Sequence, residues 1–162
     1  MPPSLPKNGL GIMAWEWSQI DPYYQELTER AVSQEELAPW LADWSRLQDL
    51  IYERYQRHYV ATTLDTTDEK VEQKYIHFLD EIYPQSQAAD QRLKKKLLDS
   101  GLELEGFEIP LRNMRAQVDL FREANLPLLS DELKLANEYS KVTSVQTIEW
   151  EGQELTIDQV TP

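Results

Sequence analysis

From Leu37 to Tyr59 the apolar residues fall at steps of three and four: Leu37, Trp40, Leu41, Trp44, Leu47, Ile51, Tyr55 and Tyr59. Only a helical turn of 3.6 residues gathers that spacing onto one face, so it predicts one long amphipathic helix. A second stripe follows, through Val71, Tyr75, Phe78, Ile82, Ala89, Leu93 and Leu97, with Ser86 standing where the period asks for an apolar residue. Thr62 to Thr67, rich in β-branched and cap-forming residues, separates the two. Two long helices joined by so short a connection pack antiparallel as a helical hairpin. The hairpin sets the fold class: all-α, with shorter helices around it.

Local signals set the ends of these helices. Ser33-Gln34-Glu35-Glu36 has the form of a capping box. Pro39 is too deep for a helix capped at Ser33, so the helix either kinks there or becomes regular only near Pro39. Thr67 or Asp68 caps the second helix, Pro84 predicts a bend near Tyr83, and Gly101 reads as its left-handed stop.

Residues 1–20 read as an extended leader, with Trp15 and Trp17 alternating as if pinned onto an apolar surface. Asp21-Pro22 has the chemistry of an N-cap followed by a first helical residue, opening a short helix with Tyr23, Tyr24 and Leu27. Residues 102–110 read as a loop. A helix over 111–124 then carries Leu111, Met114, Val118 and Phe121, and Asn125 and Pro127 end it. Ser130-Asp131-Glu132 opens the next, with Leu133, Ala136 and Tyr139 along it. The period then changes to two. Thr147 to Trp150, Glu151-Gly152 and Gln153 to Ile157 read as a tight β-hairpin with Ile148 opposite Leu155. The expected organisation is one domain over 1–162: leader 1–20, helices 21–143 and β-hairpin 145–158. The end soon after the hairpin is a cue for truncation, because an isolated hairpin is marginal and needs a surface to lie on.

A chain of 162 residues, 41% of them hydrophobic, can bury one sizeable core. Its net charge of −13 repels phosphate backbones, so no nucleic-acid partner is expected. The absence of cysteine excludes disulfides, thiolate zinc sites and a cysteine nucleophile, and fits a cytoplasmic setting. The N-terminus lacks the apolar core of a secretory signal, and no apolar run is long enough to span a bilayer.

Chemistry-bearing residues are sparse. The only histidines are His58 and His77, and no His-Glu-x-x-His is present. His58 lies among Arg54, Arg57 and Tyr59, poor company for a metal ligand, and reads as structural or solvent-facing. His77, Asp80 and Glu81 share a helix face. A solvated flank is the ordinary reading, and a metal contact the alternative. Glu53 with Arg57, and Asp90 with Lys94, read as helix-surface pairs, and Arg92 with Lys94, Lys95 and Lys96 as a solvated basic face. Trp40 and Trp44 share one face, as core or as a peptide-contacting surface. No catalytic or metal-binding residue is assigned, and substrate-binding residues stay open.

Several stretches, in order along the chain, carry a resemblance. They are Trp15-Glu16-Trp17-Ser18-Gln19-Ile20-Asp21-Pro22-Tyr23-Tyr24-Gln25-Glu26-Leu27, Trp40-Leu41-Ala42-Asp43-Trp44-Ser45, Tyr59 to Asp68, Phe107 to Met114, and Thr147 to Gly152. Together they resemble the N-terminal region of oligoendopeptidase F-like proteins, among the thimet oligopeptidase-like zinc metallopeptidases. The resemblance implies a largely helical parent enzyme of several hundred residues, enclosing a deep channel and hydrolysing short peptides. It implies zinc held by His-Glu-x-x-His and a downstream Glu, none of which has a counterpart here. This chain would be a non-catalytic scaffold, the first third of the parent or less, forming part of the channel wall. The expected partner is the catalytic domain of the same polypeptide. Zinc is expected there and no cofactor in this chain, with a homodimer through an exposed apolar helix face as a further expectation. A stand-alone helical interaction module is the alternative.

Overall fold

The computed structural model describes residues 4–160. Three helical rods form its centre: α1 (Trp17–Glu29), α2 (Leu37–Leu64), and a composite rod in which α3 (Glu69–His77) passes through one π-helical turn (Phe78–Ile82) into α4 (Tyr83–Ser100). The composite rod runs antiparallel to α2. Trp44 Nε1 donates to Asp90 Oδ1 at 2.8 Å near one end, and the Tyr59 and Tyr75 rings lie 6.2 Å apart near the other. Trp40, Leu50, Phe78, Leu79, Ile82 and Leu93 are sealed between the rods. α1 closes the third side with Ile20, Tyr24 and Leu27, and Trp40 Nε1 donates to the Leu27 carbonyl at 2.9 Å. The expected hairpin is thus the core. Each large side chain buried in it stabilises the fold by roughly 1.5–3 kcal/mol.

Helix starts differ from expectation, and proline explains most of the differences. Pro39 sits at the third residue of α2 and Pro110 at the third of α5 (Glu108–Leu120), while Pro127 is in the first turn of α6 (Leu126–Ser144). In a first turn the missing N–H has no intrahelical partner to lose, so proline opens a helix there instead of ending one. Hence α2 becomes regular beside Pro39, preceded by a turn in which Glu36 N–H donates to the Ser33 carbonyl at 3.1 Å. Likewise α5 begins before Leu111, stops at Leu120, and is followed by a 3₁₀ turn at Glu123–Asn125. α6 begins before Ser130, which points inward, so its buried side is Leu126, Ser130 and Asn137 with Leu133 half-buried. Ala136 and Tyr139, expected along the packed side, are exposed.

The leader is not uniformly extended. Gly9–Ile12 is a 3₁₀ turn with Ile12 buried, and α1 starts at Trp17 instead of Asp21. The earlier start has a cap of its own: the Glu16 carboxylate accepts from the Gln19 backbone, and the Gln19 side chain accepts from Glu16 N–H at 3.0 Å. Pro22 therefore lies inside α1. Trp15 stacks on Tyr23 with centroids 5.7 Å apart, which pins the segment as its alternation suggested.

The bend expected near Tyr83 takes the form of the π turn. Tyr83 N–H donates to the Phe78 carbonyl, five residues back, and Pro84 follows at the start of α4. Ser86, the break in the apolar stripe, is buried with its hydroxyl donating to the Tyr83 carbonyl at 2.8 Å. Gly101 takes the left-handed conformation (φ 66°) that ends α4, as its position predicted.

α6 lies across α3 and the π turn, held by Lys141 to Glu72 at 2.7 Å and Lys134 to Asp80 at 2.8 Å. The chain then forms β1 (Thr147–Trp150) and β2 (Gln153–Thr156), antiparallel with Ile148 opposite Leu155. Glu151 (φ 51°) and Gly152 (φ 76°) make the two-residue turn. Instead of extending β2, Ile157 opens a short helix, α7 (Ile157–Val160).

Candidate functional site

The residues that the sequence singled out do not converge. His77 Nε2 lies 3.0 Å from Glu16 Oε2, while Asp80 turns to Lys134 on α6. The shared helix face of His77, Asp80 and Glu81 is therefore split between two neighbours. Among the described residues no three His, Asp or Glu side chains are grouped to hold a metal ion. Trp40 and Trp44 are both buried, the core reading of that pair.

Two surface readings are corrected. Asp90 is buried: besides Lys94 at 2.6 Å it takes the Trp44 indole N–H and Gln48 Nε2 at 2.7 Å. A carboxylate taken from water needs such a full set of donors, and the bundle supplies them from α2. Lys96 is not simply solvated. Its ammonium donates to the carbonyls of Leu27 at 2.9 Å, Thr28 at 2.7 Å and Arg30, closing the end of α1, where the helix dipole favours a cation. Glu53 pairs with Arg57 at 2.7 Å as expected, and also accepts from Gly9 N–H at 2.6 Å.

The inward face of α2 changes character beyond Ile51. Arg54, His58 and Thr62, one turn apart, are buried where the stripe had been apolar. The apolar stripe had instead been continued through Tyr55 and Tyr59, with Thr62 placed in the connection after the helix; Tyr59 is exposed and Thr62 lies within α2. The usable signal was the spacing of Arg54, His58, Lys70, Lys74 and His77, two cationic faces on helices that had to lie side by side.

Those side chains line a recess of about 610 Å³ where the segment before α1 crosses α2 and α3, and Glu16 is its one acidic member. Arg54 is 2% exposed. Its guanidinium donates to the Trp15 carbonyl and, at 3.5 Å, to His58 Nε2, and lies 5.2 Å from the centre of the Phe78 ring. Among the described residues it has no carboxylate partner. Burial, reinforced by Arg54 and then by Lys74 and His77, pulls the His58 imidazole down to about 4, so it is neutral near pH 7. A second recess of about 460 Å³, between α2, α4 and α5, has Leu41, Trp44, Phe107 and Met114 in its walls, and its Asp90 is already bonded.

Residues 13–121, more than half of the chain, match the family described as the peptidase M3 N-terminal domain. The chain belongs to that family. No curated protein and no solved structure matches it. In this peptidase M3 N-terminal domain the match spans α1 to α5, the whole central bundle and both recesses, while α6 and the β-hairpin lie beyond it. None of the helices among the described residues is long and apolar enough to cross a membrane.

Proposed function

We propose that this chain is the non-catalytic N-terminal scaffold of an oligoendopeptidase F-like zinc peptidase of the cytoplasm, walling part of the channel through which short peptides reach the metal. The match of the central bundle to the peptidase M3 N-terminal domain carries this reading. The donor set supports it. One imidazole is sealed beside an arginine and the other bonds Glu16, so these residues do not fit a zinc ion with an open position for water. Zinc, with its bound water, belongs in this reading to the catalytic domain of the same polypeptide, the partner of this one, and no hydrolytic step is assigned here.

The test has two arms. Purified 1–162, given zinc and an internally quenched peptide, should show no turnover; chelator-sensitive cleavage would sink the scaffold role. In the full-length parent, deleting this domain should speed cleavage of long peptides relative to short ones. An unchanged length preference in a folded, active deletion variant would remove the channel-wall role.

A further inference from the structure

We propose that the recess between the segment before α1, α2 and α3 is a binding site for a small organic oxyanion, a carboxylate or a phosphate ester, gripped by Arg54 and steered by Lys70 and Lys74. Charge is the first argument. Acids outnumber lysine and arginine by 29 to 16, yet this recess gathers Arg54, Lys70 and Lys74 against Glu16 alone. Glu16 is itself engaged, accepting from the Gln19 backbone and bonding His77. The local balance is positive in a chain that is otherwise strongly negative.

The second argument is Arg54. Burying a guanidinium costs free energy that a paired carboxylate normally offsets. Arg54 is almost wholly buried, hydrogen-bonds only the neutral acceptors Trp15 carbonyl and His58 Nε2, has the Glu16 carboxylate acting on it through space but not in ion-pair contact, and lines the recess. The five N–H donors of arginine suit bidentate capture of a carboxylate or phosphate. His58, neutral at pH 7, accepts from Nε and so orients that fork without adding a competing charge. Lys70 and Lys74 lie exposed on α3, placed to attract an anion at long range. The volume, about 610 Å³, is that of a small-molecule site and leaves space beyond one oxyanion group.

Titration calorimetry on 1–162 at pH 7.5 and low ionic strength tests this with citrate as the carboxylate probe and glycerol 3-phosphate as the phosphate ester. Saturable one-to-one binding of either is expected, and which of the two binds tells the carboxylate source from the phosphate one. The K70A/K74A double variant changes only exposed side chains and should weaken binding by about tenfold or more. Arg54→Lys keeps the charge and loses the fork, and should abolish bidentate capture if circular dichroism shows it folded. Lys95→Ala, exposed on α4 away from the recess, should bind as the parent does. The proposal falls if neither probe binds, if K70A/K74A binds undiminished, or if K95A weakens binding as much as the double variant.

Discussion

Ser130 shows how one side chain can complete an element far from it in sequence. In the π turn Tyr83 N–H reaches the Phe78 carbonyl, and Pro84, next in line, has no N–H to give. The Leu79 carbonyl is thereby left without its helical donor, and the buried Ser130 hydroxyl fills the gap at 2.8 Å. Ser130→Ala should cost about 1–3 kcal/mol in urea unfolding, the penalty of an unpaired buried carbonyl. His58 makes a different residue-scale prediction. Its imidazole is held near 4 when folded, against the usual value near 6.5 in an unfolded chain. Between those limits the unfolded state binds the extra proton, so stability falls as pH drops from 6.5 towards 4. The loss should approach ~2–3 kcal/mol and disappear from the pH profile of His58→Gln. Glu26, whose bond to Arg30 keeps its carboxyl below the usual range, loses its contribution at still lower pH.

At the scale of elements, proline position carried more meaning than proline presence. Pro39, Pro110 and Pro127 occupy first turns, whereas Pro84 coincides with an extra residue in the helical ladder. If that ladder defect is what recruits Ser130, the two positions are coupled. Pro84→Ala restores a backbone donor beside the Leu79 carbonyl, so Ser130→Ala should cost less in that background. A double-mutant cycle should give a coupling of about 0.5 kcal/mol or more, and simple additivity would mean the serine acts independently. The α2–α4 contact rests on a polar key as well as on apolar packing. Asp90→Ala would leave the Trp44 indole N–H and Gln48 Nε2 without their acceptor. Thermal unfolding should show a loss of roughly 3 kcal/mol, against a smaller one for Lys94→Ala, whose ammonium also reaches solvent.

At the scale of the whole molecule, apolar surface is distributed unevenly. Leu128, Leu135, Tyr139 and Val142 form a helical stripe on the outer side of α6, each at least 60% exposed. Trp150 on β1 is 59% exposed. This surface lies outside the stretch that matches the family. Sedimentation of 1–162 should show concentration-dependent self-association through it, relieved by combining Leu135→Glu with Tyr139→Glu. A monomer at every concentration would count against that association.

Periodicity alone determined the centre of this protein. Steps of three and four from Leu37 to Tyr59 and from Val71 to Leu97 can bury their apolar faces in only one economical way, against each other, and the stops at Gly101 and Gly152 were equally plain because both take the left-handed backbone conformation that favours glycine. Whether Arg54, His58, Ser130 and Asp90 faced solvent or core was not legible, since a polar side chain enters a core only where distant groups answer its hydrogen bonds. Those partners come from the segment before α1 for Arg54, from the π turn for Ser130 and from α2 for Asp90, and only tertiary packing brought them within reach. The cationic recess has the same origin: residues 16, 54, 58, 70, 74 and 77 become neighbours when three separate stretches of chain cross.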